Sequence, residues 1–146
     1  MLFPKKTAHR KWQVGRVSPA KLMRPDTRGI TVAFGDYALK ATSGGRITSN
    51  QIEAARKVLT RASGKTGKYF IRIFPDRPRT KKAAETPMGK GKGDLDGYIF
   101  EVRPERVLFE FRGVEEAVAK DAFRRAGSKL GVKTAFIRKE DMVAPA

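Results

Sequence analysis

The sequence predicts an α+β fold, in which a mixed, mostly antiparallel sheet packs with two helices and carries a basic N-terminal arm and a long Gly/Lys loop. Three observations lead to this prediction. Apolar residues alternate in several short runs, two separate stretches repeat their apolar residues at helical spacing, and the most basic segments show neither pattern. With 146 residues, 40% of them hydrophobic, and nine Phe, the chain is expected to bury one core as a single domain.

Six short runs have the alternation, or the β-branched and aromatic residues, that are typical of strands. The first two are separated only by Gly35 and Asp36, which predicts a hairpin, and Pro104 lies in the turn of a second predicted hairpin between the fourth and fifth. The predicted strands are residues 30–34, 37–40, 68–74, 98–103, 107–112 and 133–138.

The first predicted helix begins after Thr48, because Thr48 followed three residues later by Gln51 is a capping-box sequence. Apolar residues then recur at helical spacing as far as Gly64, which ends the pattern. The second predicted helix covers residues 114–130, with acidic residues in its first turn, basic residues in its last and Gly131 after it.

Composition divides the chain into an arm, a core and a tail. Residues 1–29 are predicted to form the arm, since no acid precedes Asp26. The folded core is expected over residues 30–138, and residues 139–146 are a tail. Within the core, residues 75–97 lose all periodicity and are predicted to be a functional loop.

Positive charge is concentrated in the N-terminal two thirds of the chain. The 32 Lys and Arg exceed the 15 Asp and Glu to give a net charge of +17. Residues 1–97 hold 22 basic and 7 acidic residues, a balance of +15, whereas residues 98–146 hold 10 and 8, a balance of +2. This asymmetry favours a polyanionic partner. Proline and glycine interrupt the basic segments, so no membrane-surface helix or membrane partner is expected and nucleic acid is favoured.

The centre of the predicted loop alternates glycine with lysine. Without a Cβ, glycine lets backbone N–H groups approach an anion closely, and the lysines add charge on long stems. The spacing matches neither a Walker loop nor a dinucleotide fingerprint. A flexible basic linker is the alternative interpretation. The string reads Met88-Gly89-Lys90-Gly91-Lys92-Gly93.

No enzymatic function is predicted. His9 is the sole histidine and lies in the arm with no acid to orient it, and there is no cysteine. Asp94 and Asp96 have no His or Cys partner for a metal site. No catalytic residue, metal or cofactor is therefore expected. Trp12, which lies among basic residues, either stacks on an unpaired base or folds onto the core, and the first interpretation is favoured.

Besides the Gly/Lys string, five other strings occur in order along the chain. They are Met1-Leu2-Phe3-Pro4-Lys5-Lys6-Thr7, Ala33-Phe34-Gly35-Asp36-Tyr37, Arg46-Ile47-Thr48, Gln51-Ile52-Glu53-Ala54-Ala55-Arg56 and Ile71-Arg72-Ile73-Phe74-Pro75-Asp76. Together these strings resemble the bacterial and organellar large-subunit ribosomal protein L-sixteen family. One departure concerns the loop: the family usually has an arginine, hydroxylated in some bacteria, where this chain has Pro87.

The resemblance implies an α+β protein that is a structural constituent of the large ribosomal subunit. It implies binding to large-subunit rRNA near the aminoacyl-tRNA site, help in positioning tRNA, and neighbouring ribosomal proteins as further partners. Aminoacyl-tRNA and peptidyl-tRNA are the expected tRNA partners. The expected location is the cytoplasmic ribosome of a bacterium or an organellar ribosome. A free-standing RNA-binding protein or RNA chaperone remains the alternative, and a phosphate-handling enzyme is the third hypothesis.

Charge and resemblance together give two sets of candidate residues. The residues expected to contact rRNA are Lys5, Lys6, His9, Arg10, Lys11, Trp12, Arg16, Lys21, Arg24, Arg46, Arg56, Arg72, Arg77, Lys81 and Lys82. The loop residues expected near tRNA and the peptidyl transferase region are Met88, Gly89, Lys90, Gly91, Lys92 and Gly93.

Overall fold

A computed structural model describes residues 2–13 and 18–142 of the chain, and its helices and strands confirm the α+β prediction. Arg16 and residues 143–146 of the predicted tail lie outside the described residues. The elements in chain order are α1 (Pro19–Leu22), β1 (Tyr37–Ala41), β2 (Gly45–Thr48), α2 (Ser49–Ser63), β3 (Lys68–Ile71), β4 (Arg77–Lys81), β5 (Asp94–Val102), β6 (Val107–Arg112), α3 (Glu116–Gly127), β7 (Thr134–Arg138) and a 3-10 turn (Glu140–Met142).

The strands form two sheets where the sequence predicted one. A four-stranded sheet has the order β3-β6-β1-β7 and a three-stranded sheet has the order β2-β5-β4. All five ladders between these strands are antiparallel. Helix α2 contacts strands of both sheets, and α3 contacts α2, β1 and β7. The sheets therefore share one core, in which Phe109, Phe111 and Phe123 are fully buried.

Helix α2 begins as the capping-box sequence predicts. The Thr48 hydroxyl accepts a hydrogen bond from the Gln51 backbone N–H at 3.3 Å, and the Gln51 side-chain oxygen accepts one from the Thr48 N–H at 2.9 Å. Because Thr48 also ends β2, the cap joins the three-stranded sheet directly to the helix. The buried residues of α2 include Ile52 and Leu59, which pack the helix against the core.

The hairpin predicted over residues 30–34 and 37–40 is wrong in its first half. Residues 30–34 form no strand, and β1 pairs instead with β6 and β7. The cause is the Glu110 carboxylate, which accepts the N–H groups of Ala33 at 3.2 Å, Phe34 at 2.6 Å and Gly35 at 2.7 Å. Successive N–H groups of a strand point to opposite sides, so three that converge on one carboxylate exclude a strand.

Glu110 lies on β6 with no exposed surface, and its charge is compensated by Arg72, which donates to it from the end of β3. Arg72 also donates to the Thr31 carbonyl at 3.0 Å. Burial by itself raises the pKa of the Glu110 carboxyl, but the three backbone N–H groups and Arg72 stabilise its charged form and hold the pKa below the usual value.

The loop predicted over residues 75–97 is shorter in the structure. Strand β4 and the first residues of β5 lie within that range, so the stretches without a helix or strand are residues 75–76 and the longer loop of residues 82–93. Strand β4 was missed because its sequence is Arg-Pro-Arg-Thr-Lys, and proline argues against a central strand. The structure resolves the conflict by placing β4 at the sheet edge, where Pro78 faces Tyr98 of β5.

Other elements also differ from the predictions. The second long helix covers Glu116–Gly127 instead of residues 114–130, and the strand predicted over residues 68–74 ends at Ile71. Strand β2 was not predicted, and the predicted arm contains the one-turn helix α1. Among residues 2–13 and 18–142, no helix has the length and apolar character needed to cross a membrane.

Replacing Glu110 by glutamine is expected to lower the free energy of unfolding at pH 7 by about 3 kcal/mol, because it leaves the Arg72 charge without its buried partner. A lowered folded-state pKa gives stability that is present above the unfolded value of about 4.3 and lost as the pH falls through the folded value. Urea titrations should therefore show the difference between wild type and Glu110→Gln shrinking below about pH 4.3.

Glu116→Gln is the matched control, since Glu116 pairs with Arg138 on the surface with 40% of its side chain exposed. It should cost less than about 1 kcal/mol at pH 7. Equal losses for the two glutamine variants would contradict the role given to Glu110.

Candidate nucleic-acid interface

The outer face of the three-stranded sheet carries three arginines. Strand pairing sets Arg46 opposite Glu101, Arg77 opposite Ile99 and Arg79 opposite Gly97. These three partners are spaced two residues apart along β5, so their side-chain positions, and those of the three arginines opposite them, lie on one face of the sheet. Residues from the other face, including Ile47 and Phe100, belong to the core. The exposed face of this sheet is therefore basic.

Carboxylates of β5 hold these arginines in place. Glu101 pairs with both Arg46, at 3.3 Å, and Arg77, at 2.7 Å, and Arg79 pairs with Asp96. One carboxylate between two guanidiniums leaves a net positive charge. Arg46 and Arg79 keep 46% and 52% of their side chains exposed, whereas Arg77 keeps 17%. Ion pairs near solvent contribute about 0–1 kcal/mol each, so the pairs of Arg46 and Arg79 are the ones that an incoming phosphate would displace most easily.

The N-terminal arm keeps its cations in solvent. Leu2 packs against the core and holds the start of the arm, and Lys11 approaches Asp94 of β5 at 3.6 Å. Trp12 has 44% of its surface exposed, so it is not enclosed in the core. The predicted arm residues that the structure leaves exposed are Lys5, Lys6, His9, Arg10, Trp12, Lys21 and Arg24.

The loop of residues 82–93 has a backbone that only glycine adopts easily. Three consecutive residues have positive φ, with values of 105° at Gly89, 54° at Lys90 and 110° at Gly91. Gly93 is required for a different reason: a Cβ there would lie 2.7 Å from the Lys81 carbonyl carbon and oxygen. The loop therefore turns at its tip and closes tightly against β4. Met88, next to the tip, is 95% exposed.

The two predicted tRNA-facing lysines have different surroundings. Lys92 donates to the Trp12 carbonyl of the arm, and Lys82 donates to the Gly89 carbonyl at 2.5 Å within the loop. Lys90 makes no hydrogen bond or ion pair with any residue in the described part of the chain. The arm and the loop thus touch at Lys92 and at the Lys11–Asp94 pair, and Lys90 extends from the tip.

Besides Lys11, Arg46 and Arg77, two further residues predicted to contact rRNA have acidic partners within the fold. Arg56 binds Glu53 at 2.6 Å and the Tyr69 hydroxyl at 3.2 Å, and this pairing raises the pKa of Arg56. Hydrogen bonding to Arg56 lowers the pKa of Glu53 to about 2. Arg72 is held by Glu110, as described above. Both guanidiniums stabilise the packing of β3 and lie outside the basic surface of the arm, loop and three-stranded sheet.

Arg106 is a residue that the sequence analysis did not single out. Its guanidinium donates to the Arg28 carbonyl at 2.9 Å and stacks 5.4 Å from the Phe100 ring centroid. Gly29 has a φ of 64°, and a Cβ there would lie 2.7 Å from the guanidinium carbon. In the sequence, Gly29 alone hints at this contact, because a glycine can mark a point where another group lies against the backbone. Arg106 fixes the point at which the arm leaves the core.

Within the part of the chain that the structure describes, no three His, Asp or Glu side chains are grouped as metal ligands. The site instead offers ammonium groups and guanidiniums, which bind phosphates through charge-assisted hydrogen bonds.

An α+β core with an exposed basic arm, basic residues on one sheet face and a glycine-rich basic loop is typical of nucleic-acid-binding proteins. A family model described as ribosomal protein L16p/L10e matches residues 4–137. The chain belongs to this family, which confirms the resemblance found in the sequence. It is similar to the large ribosomal subunit protein uL16 of Halorhodospira halophila (strain DSM 244 / SL1), with 51% identity over 142 residues that cover 97% of this chain and 100% of the relative.

The different surroundings of the two lysines predict different effects on the loop. A spin label can be placed at the loop tip through Met88→Cys, which would be the only cysteine of the chain. In this labelled protein, Lys92→Met should increase the mobility of the label, because it removes the attachment of the loop to the arm. Lys90→Met is the matched control and should leave the electron paramagnetic resonance spectrum unchanged. Equal spectra for the two variants would show that Lys92 does not hold the loop.

Proposed function

We propose that this chain, as a structural constituent of the large ribosomal subunit, binds large-subunit rRNA with its arm and three-stranded sheet and presents its Gly/Lys loop to tRNA at the aminoacyl site. One observation carries the proposal: the arm and the loop, which lie some 80 residues apart in sequence, touch through Lys92 and the Trp12 carbonyl. The two most basic segments therefore form one continuous surface.

Phosphate contacts dominate the proposed rRNA binding. Exposed lysines and arginines on long stems reach phosphates of folded RNA without reading its sequence. In the proposal they are joined by Arg46 and Arg77, whose shared carboxylate leaves one positive charge for RNA. The residues proposed for direct phosphate contact are Lys5, Lys6, Arg10, Lys21, Arg24 and Lys81, all exposed.

The loop tip is the part proposed to meet tRNA. Lys90 supplies a cation that the described structure leaves unpaired, and the positive φ of Gly89 and Gly91 is the kind of backbone conformation in which successive N–H groups can bind an anion. Lys92 supports the tip from the arm. Pro87 replaces the usual arginine of the family, so one loop cation is absent and the chain enters the tip with a restricted φ.

Aminoacyl-tRNA and peptidyl-tRNA are the proposed tRNA partners, and the proposed location is the ribosome of a bacterium or an organelle. Neighbouring ribosomal proteins complete the set of partners. The role is one of binding and positioning, since the interface consists of phosphate-binding groups.

Sedimentation distinguishes this function from that of a free-standing RNA-binding protein or chaperone. In a sucrose gradient of cell lysate, the chain should migrate with large subunits and remain there at moderate salt. Migration as a free small protein would favour the alternative function.

Binding to large-subunit rRNA is expected to weaken steeply with salt. If about eight phosphates are neutralised, the plot of log K against log salt should have a slope of roughly −6 to −7. Lys5→Gln with Lys6→Gln should make the slope shallower by about 2, one per lost contact. Arg124→Gln with Arg125→Gln on α3, which removes the same charge at two residues that pair with Asp121, should leave it unchanged. Equal shifts would argue against a localised surface.

Alanine at Lys90 should impair tRNA accommodation in reconstituted large subunits without reducing occupancy, because Lys90 takes no part in folding. Lys92→Ala should impair it as well, through loss of the attachment to the arm. Lys129→Ala, an exposed lysine near the end of α3, is the matched control and should behave as wild type. Normal accommodation by both loop variants at full occupancy would remove the role proposed for the loop.

A further inference from the structure

The face of the four-stranded sheet that carries Glu110 also carries a stacked aromatic pair. The Phe34 and Phe70 rings lie 5.5 Å apart between centroids with an angle of 28° between their planes. The guanidinium carbon of Arg72 lies 5.3 Å from the Phe34 centroid. Phe70 and Arg72 are two residues apart, and the Arg72 N–H donates to the Leu108 carbonyl at 2.9 Å, so strand pairing continues this far. We call Phe34, Phe70 and Arg72 the aromatic platform.

The Phe34 ring is largely exposed although it has two packing partners. It keeps 56% of its surface in solvent although it contacts both Phe70 and Arg72. Its backbone is nonetheless fixed, because its own N–H and those of both neighbours donate to Glu110, and its ring lies against Phe70 and Arg72. An exposed aromatic ring in a cluster of this kind offers a surface for a partner, since burial against the partner would remove apolar area from water.

The charges around the platform are mainly positive. Lys68 precedes Phe70 by two residues on the same face of β3, and it pairs in register with Arg112 of β6; both are exposed. Glu110 faces Phe70 across the ladder but has no exposed surface and is neutralised by Arg72. The exposed acid near this end is Asp36, which accepts from the Gly113 N–H at 3.3 Å.

We propose that the aromatic platform stacks an unpaired base of large-subunit rRNA, while Lys68 and Arg112 bind the adjacent phosphates. The inference rests on the proposed function and adds to it a second contact, different in chemistry from the arm and loop. Bases stack on phenylalanine rings and guanidinium planes, and their phosphates require the cations found beside the platform. A protein partner that buried Phe34 would have to desolvate these cations, so the charges favour RNA.

The sequence analysis found no base-stacking platform because Phe34 and Phe70 are distant in the chain. Only the binding of residues 33–35 to Glu110 brings the Phe34 ring over β3.

A photo-crosslink tests the partner directly. Position 34 is replaced by benzoyl-phenylalanine in the full chain, and the protein is incorporated into large subunits that lack their own member of the family. Irradiation should attach it to an unpaired nucleotide of large-subunit rRNA, mapped by a reverse-transcription stop. Full occupancy with a crosslink to a ribosomal protein, or with no crosslink, overturns the inference and leaves the proposed function intact. Failure of the unsubstituted chain to join the subunits overturns both.

Binding of matched variants to the same depleted subunits measures the stack. Phe34→Leu keeps an apolar contact with Phe70 but loses the ring, and it should bind about ten-fold more weakly at fixed salt. Phe34→Trp should bind as tightly as wild type. Val118→Ala on α3, at a residue with 43% exposure, is the control and should have no effect. Circular dichroism confirms that each variant is folded, and wild-type affinity for Phe34→Leu would overturn the inference.

Discussion

The buried carboxylate of Glu110 is the constraint on which the course of the chain between the arm and β1 depends, and with it the position of Phe34 beside β3. It gathers three consecutive backbone N–H groups and one guanidinium into a site with no exposed surface. A buried charge is tolerated only when its hydrogen bonds are satisfied, so this site tolerates little displacement of the segment bound to it. At the other end of the segment, Arg106 clamps the Arg28 carbonyl and Gly29. The chain between the arm and β1 is thus fixed at two points of opposite charge.

Local sequence chemistry predicts the elements whose stabilising contacts are local. The cap of α2 involves residues three apart, and both of its hydrogen bonds form as expected. Strand β6 has the predicted bounds because its alternation is regular. Residues 30–34 have the same β-rich composition, yet their backbone is bound by a carboxylate some 76 residues away. The prediction for β4 is wrong in the opposite sense, because a strand forms where none was expected. Its pairing with β5 outweighs an unfavourable composition.

In the candidate site, too, the sequence predicts what depends on local composition and misses what depends on distant contacts. Composition identifies the arm and the loop as basic, and the structure leaves most of their cations exposed. It does not distinguish Lys90 from Lys92, which have identical glycine neighbours, because the difference lies in the distant Trp12 carbonyl. Composition also does not predict that Arg56 and Arg72 pair with carboxylates inside the fold. The sequence shows that an arginine is present but not whether its partner is a phosphate or a carboxylate.

Burial of the acidic partner decides which arginines are available to RNA. The Glu110 carboxylate is fully enclosed, so removing Arg72 from it would leave an unpaired buried charge, which is far more costly than a phosphate contact returns. Glu101 and Asp96 have 28% and 32% of their side chains exposed, so their pairs with Arg46 and Arg79 are in contact with water and cost less to open than the enclosed pair of Glu110. Their presence reduces repulsion among the cations of a chain with a net charge of +17. Arg46 and Arg79 of the three-stranded sheet therefore keep about half of their side chains in solvent beside partly hydrated carboxylates, whereas Arg72 has 17% of its side chain exposed and is held between Glu110 and the Phe34 ring.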